Sequence, residues 1–436
     1  MLWLAWCCLA SVSCQPKNET QSTNMSSREA ALPSAVSTSA RVAVGSEDPN
    51  ERARAPVDQE QRGAVRPYVN DRLNGRVGEA LPNGTWEVRW QVDLSSGLRP
   101  FFVLHAGGRT LVQGRDLWQL FDDEGQSIAV QRVAASDVVL DPDRGLIYNA
   151  ASNGTLVART LADGEPAYTL GLLFGPEFER VFFSRRGDRM VVASVEHPVD
   201  VHEAEPVKNS LVEVHELGDP VRTDDIGIVT SSRRLASLNR KADEMRAAMH
   251  GDTLVVATPG QVEYFDLGLA SGAKFTGDFE PLSMSVDEAG RSYLLVREPS
   301  DAQPVRQALW VVAPDGGKVI DVEVPAQLDG EYPPPVVGYD HNVYLAFGDS
   351  IRAVSPQGEM LWTQHAGGPV GGATVTADDQ LLVAAGGMLA SWNPKGERTL
   401  LFFLEGERWI TPPILTGQGR ILIATEKHLY CLGRRN

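Results

Sequence analysis

The sequence predicts an all-β fold, a β-propeller of about eight four-stranded blades with seven as the alternative count. Three observations predict it. Apolar runs alternate with period two and are broken by Gly, Asp, Asn or Pro every few residues, which suits strands and turns rather than helices. One pattern of strand, tight turn and second strand returns along the chain. Its copies lie on average about 44 residues apart, the length of a four-stranded propeller repeat.

The recurring hairpins read VLHAGGRTLV, VVLDPDRGLIY, VFFSRRGDRMVV, AAMHGDTLVV, MSVDEAGRSYLL, VVGYDHNVYLA, ATVTADDQLLV and ILTGQGRILIA. Their second strands are marked by Leu111, Leu146, Met190, Leu254, Tyr293, Val343, Leu381 and Ile421. The longer separations contain insertions at 197–208, 231–244 and 298–306. The sixth unit shows four strands most clearly, PPVVGY, VYLAFG, SIRAVSP and GEMLWTQHA. In it Gly358 and Trp362 occupy the last turn and outer strand, where a large ring can wedge between blades. The eighth unit offers only ITPPILTG, RILIATE and HLYCLG, whereas residues 86–94 (WEVRWQVDL) form a strand with no hairpin partner. Pairing the two closes the ring and removes edges that would otherwise invite aggregation.

Ahead of the propeller, assigned to residues 81–436, lie two further segments. Residues 1–14 (MLWLAWCCLASVSC) are too short to span a bilayer and have the length of the apolar core of a signal peptide. Ser11, Val12 and Ser13 before Cys14 resemble a bacterial lipobox, so Cys14 is the expected lipid attachment residue; an ordinary cleaved signal or an uncleaved apolar end are the alternatives. Residues 15–80 are Ser-, Ala-, Glu- and Arg-rich, with Tyr68 as their only aromatic, and are expected to form a disordered polar linker. Such a tether has an end-to-end distance of roughly 45 Å. Its charges cancel and residues 1–14 carry none, so the whole net charge of −17 belongs to the propeller. That field repels phosphate backbones and argues against nucleic acid as a partner.

The units resemble the pyrroloquinoline-quinone-like propeller repeat, whose last strand ends in a Gly and a Trp. IRAVSPQGEMLW (Ile351 to Trp362) carries the resemblance best, with LVARTLADGEPAY, LWQLFDDEGQSIAV and LASWNPKGERTLL as further copies. In architecture the chain also resembles the propeller lipoproteins of the outer-membrane β-barrel assembly machine. The first resemblance implies the propeller fold and raises quinone-dependent oxidation as an activity. Enzymes of that kind carry adjacent cysteines beside the cofactor, and the only adjacent pair here is Cys7 and Cys8 in the leader.

No other catalytic or cofactor motif stands out. The eight histidines lack metal-ligand spacing, and His197, Asp200, His202 and Glu203 read as a solvated insertion. The acidic turns at 141–145 and 287–290 lack the ligand alternation of a calcium loop and fit the hairpins. Cys431, in the last strand, is expected to be a buried free thiol. The segment 231–246 differs in kind: Leu235, Leu238, Ala242 and Met245 recur at helical spacing beside Arg233, Arg234, Arg240, Lys241 and Arg246. A basic, helical element on an acidic domain is either a solvated loop or a docking element for an acidic partner. The functional expectation is a non-catalytic, exported, monomeric binding or scaffold lipoprotein of the cell envelope. It would be held at the outer membrane by its lipid and face the periplasm or the exterior, with envelope proteins as partners and no cofactor. The rival is a propeller oxidoreductase or lyase acting at the central channel.

Overall fold

The computed structural model describes residues 75–435 apart from 115, 133–137, 151–154, 174–177, 187–188, 197–208, 224–226, 242–243, 300–304 and 325–331. Among the described residues every regular element is a β-strand, and the strands form eight blades of four. Blade 1 spans 100–132, blade 2 138–173, blade 3 178–241, blade 4 246–276, blade 5 280–324, blade 6 336–365 and blade 7 370–403. Blade 8 takes three strands from 414–434 and its outermost strand from Trp86–Asp93. The eight expected hairpins join the first and second strands of the blades, and each marker residue from Leu111 to Ile421 lies on a second strand.

Ring closure follows the expected pairing. Trp86–Asp93 runs antiparallel to His428–Arg434, from Trp86 opposite Arg434 to Asp93 opposite His428, with one irregularity between Val88 and Trp90. The core is not one central mass but a series of apolar clusters between neighbouring blades. One joins blades 1 and 2 around Trp118 and Leu140, another blades 4 and 5 around Tyr264 and Trp310, another blades 6 and 7 around Tyr344 and Trp392. The cluster holding Trp86, Phe121, Leu389, Trp409 and Tyr430 spans blades 7, 8 and 1, so the N-terminal strand contributes to the burial that closes the ring. Cys431 lies in this cluster, 1% exposed.

Adjacent blades are also stapled at their rims. Before the outer strands of blades 1 and 7 the turn opens with Asp or Asn, whose side-chain oxygen accepts two backbone N–H groups, and ends in Gly. Asn393 Oδ1 accepts from Lys395 and Glu397, each at 3.0 Å, and Asp122 Oδ1 from Glu124 at 3.0 Å and Gln126 at 2.8 Å. An aromatic from the preceding blade lies across the turn. Trp362 donates its indole N–H to Pro394 O at 3.0 Å, and Trp90 donates to Asp123 O at 3.1 Å. Gly396 and Gly125 have φ of +82°, and a Cβ on either would come within 2.9 Å of the Trp ring. Glycine is therefore required twice over, by backbone conformation and by the approach of the ring. Trp362 thus does wedge between blades.

Candidate functional site

The turns between first and second strands bring together polar groups from blades 5, 6 and 7, and the chain ahead of the first strand crosses them. Composition places residues 75–80 in the linker, yet Arg76 and Val77 are each only 2% exposed. Val77 N–H donates to Val375 O and Val375 N–H to Gly75 O, both at 2.8 Å, and Ala377 N–H reaches Glu79 O at 2.8 Å. The Arg76 guanidinium donates to Val337 O at 2.6 Å, to Gly338 O and to the Glu288 carboxylate. It also stacks on the Tyr339 ring, 4.6 Å from its centre. One side chain thus ties blade 5 to blade 6 while its backbone is bonded to blade 7. Nothing local in a charged, aromatic-poor tract signals this role.

Asp287, Glu288 and His341 form the cluster around this arginine. Their ligand atoms lie within 4.8 Å of one another, as a metal site would require. The hydrogen bonds argue otherwise. Asp287 Oδ1 accepts from the N–H groups of Ala289 and Arg291 at 2.9 Å; its Oδ2 accepts from Arg291 Nε at 2.7 Å and from the Tyr293 hydroxyl at 2.8 Å. Arg291 Nη2 lies 3.1 Å from His341 Nδ1, and Glu288 is taken by Arg76. With two guanidiniums inside the cluster and every Asp287 lone pair engaged, an added cation meets positive charge rather than open ligands. Burial, helped by the Asp287 carboxylate, pushes the Tyr293 hydroxyl up and keeps it a donor. The arrangement is a charge network that joins blades.

The basic segment expected as a helix is a strand. Gly227–Lys241 pairs antiparallel with Asn209–Thr223, placing Leu238 opposite Val212 and Ala236 opposite Val214. Val212 and Val214 are buried against blade 4, so pairing within the blade overrides the helical spacing of the apolar residues. Beyond Leu217 the hairpin reaches the outer edge of blade 2, where Val229 and Thr230 pair in parallel with Thr169 and Leu170. This joins blades 2 and 3 into one eight-stranded sheet. Arg233 and Arg234 have side chains 74% and 61% exposed and bridge to Glu216 at 2.6 Å and Glu213 at 2.8 Å. Arg240 and Lys241 lie opposite Ser210 and Asn209. Arg246 stands apart on blade 4, donating to Leu282 O at 2.9 Å and pairing with Glu244 at 3.2 Å. Arg246 therefore lies on a different blade from Arg233 and Arg234. Cys7, Cys8, Cys14 and the histidines at 197 and 202 lie outside the described residues.

A quinone cofactor, which the repeat resemblance brings to mind, does not fit the donors present. Among the described residues Cys431 is the single cysteine, buried within blade 8, so no adjacent pair is available there; Asp287, Glu288 and His341 are committed to Arg76 and Arg291, and His428 lies between Asp93 and Glu407.

No protein-family model matches the chain, and no curated protein matches it in sequence. Solved structures do match in fold. The quinohemoprotein alcohol dehydrogenase of Comamonas testosteroni is 12% identical, with a TM-score of 0.60 over 88% of this chain and 82% of that one. BamB of Moraxella catarrhalis is 11% identical, with a TM-score of 0.54 over 80% of this chain and 99% of its own. Sqt1 of Saccharomyces cerevisiae is 11% identical, with a TM-score of 0.53 over 82% and 100%. Eight four-stranded blades, a closed ring and these likenesses make the chain an eight-bladed β-propeller.

Proposed function

We propose that the chain is an exported, envelope-anchored propeller that binds other proteins and performs no catalysis. The observation that carries the reading is the use of the Asp287, Glu288 and His341 cluster. In an enzyme such groups would face a substrate; here Arg76, Arg291 and Tyr293 occupy them, and Arg76 ties blade 5 to blade 6. BamB and Sqt1 as fold neighbours support a binding role. The apolar leader ending at Cys14, followed by a polar stretch, supports an outer-membrane lipid anchor with the propeller held away from the bilayer. A docking role for the blade 3 hairpin rests on Arg233 and Arg234, exposed yet held in position by Glu216 and Glu213, with Arg240 and Lys241 further along the strand.

The test is affinity capture from envelope extracts with the full chain, beside a Cys14→Ser variant and an Arg240→Glu, Lys241→Glu variant. The reading expects Cys14→Ser to move the protein from the membrane to the soluble fraction, and the double reversal to lower partner recovery. Unchanged partitioning removes the anchor, and unchanged recovery removes the hairpin. The fold likeness to an alcohol dehydrogenase favours oxidoreduction as the second reading. Quinone-dependent oxidation of alcohols by the purified chain would establish it.

A further inference from the structure

A cleft of about 700 Å³ opens where the ring closes, between the outermost strand of blade 8, the first turn of that blade and the last turn of blade 1. Arg89, Arg420 and Arg434 line it together with the Trp90 ring, and Asp123 and Glu124 face them from blade 1. These residues come from both ends of the folded chain, and closure alone brings them together.

The lining sets three arginines against two carboxylates, and main-chain contacts hold each arginine in position. Arg89 packs across Gly433, where a Cβ would come within 2.6 Å of its Nε, and it donates to the backbone carbonyl of Arg434. Its one carboxylate is Glu87, at 3.4 Å. Arg420 Nη1 donates to the backbone oxygen of Asp123 at 3.3 Å, and the Arg434 guanidinium lies against Gly84. Among the described residues neither Arg420 nor Arg434 has a carboxylate within ion-pair distance. By contrast, Arg297 is paired with Glu280, and Arg306 with Glu298 and Asp321. Gathering three cations in one cleft costs mutual repulsion, which an anion placed among them relieves.

We propose that this cleft binds an acidic peptide segment of a partner protein. A Glu or Asp carboxylate would sit among the three guanidiniums and apolar atoms of the segment would lie over the Trp90 ring, while Asp123 and Glu124 accept backbone N–H groups or a basic side chain. The volume suits a few residues of extended chain. Planar forks pair with carboxylates in two-point geometry, so the site selects carboxylate over amide. The inference rests on the protein-binding reading and assigns it a surface distinct from the basic hairpin.

The test is fluorescence anisotropy of a labelled tetraglutamate peptide, with tetraglutamine as its neutral counterpart, titrated with the full chain. Because the net charge is −17, binding of an anionic peptide reports a local site and not bulk attraction. Tetraglutamate should bind roughly tenfold or more tighter than tetraglutamine, and Arg420→Gln with Arg434→Gln should abolish that preference. Arg408→Gln, which removes an exposed arginine paired with Glu426, should leave it intact. Rising salt should weaken the tetraglutamate complex. Equal binding of the two peptides, or an unchanged preference in the double variant, overturns the proposal. Envelope capture separates the two readings: partners recovered equally by the double variant refute the cleft and leave the binding module standing.

Discussion

Replacing Arg76 by Met removes the clamp while keeping an apolar stem of similar length. The guanidinium donates to two main-chain carbonyls, of Val337 and Gly338, and to Glu288. Val337 is fully buried, so its oxygen would lose a partner that water replaces poorly. A hydrogen bond from a charged donor contributes about 1.5–3 kcal/mol. Glu288 is 36% exposed, so its share is discounted for solvent screening. Two carbonyl bonds and a reduced ion pair, less the hydration the freed groups recover, give about 3 kcal/mol. For a domain of this size that lowers the melting temperature by about 4 °C. Calorimetric melts of Arg76→Met and of two truncations, one beginning at Gly75 and one at Leu81, decide it. The first truncation should melt like the full chain, and the second should fall at least as far as Arg76→Met. If all of them melt together, the strap carries no load and the argument from its hydrogen bonds is wrong.

Gly396→Ala places a Cβ on a backbone of positive φ and under Trp362, so it should cost about 2 kcal/mol or more in denaturant unfolding, against about 1 kcal/mol for Gly406→Ala, which shares the positive φ but has open space around it. The Cys431 thiol, pushed up to about 11 chiefly by burial, should resist labelling in the native protein at neutral pH and react only as fast as the chain unfolds; rapid labelling would contradict its place in the core. Burial pushes the Glu407 carboxyl up, but hydrogen bonds from Thr425, His428 and Tyr430 outweigh it and hold the group below the usual range. A depressed acid stabilises the fold above its unfolded value, and the contribution disappears as pH falls through that value and then through the folded one. Glu407→Gln should therefore be less stable near neutrality and lose less on acidification; identical acid profiles would show that the three bonds do not favour the charged form.

Blade architecture was legible because each of its signals is short-ranged. VVGYDHNVYLA carries both strands of a hairpin and its turn within eleven residues, and QGEMLW carries the turn Gly of blade 6 and the Trp that covers the turn of blade 7, so local propensity and patterning agree with the fold. The eighth blade was readable because an incomplete unit at one end and an orphan strand at the other have one mutual solution, realised as Trp86–Asp93 against His428–Arg434. The segment 231–246 was misread for the converse reason. Four apolar residues at helical spacing outweighed a partner strand ending eight residues before the segment, at 209–223, which decides the matter through pairing.

By itself, then, the sequence determined the all-β class, the hairpins, the order of the blades and the way the ring closes, since periodicity and turn chemistry act over a few residues. Tertiary structure decided where the charges go. Arg76 finds Val337, Gly338 and Glu288 more than two hundred residues away, and Arg89 meets Arg420 and Arg434 only through ring closure. A guanidinium carries no periodic signal, and its partner is chosen by which carbonyls and carboxylates the packed blades leave beside it. The strands are therefore written locally, while the strap and the arginine cleft exist only once the eight blades have met.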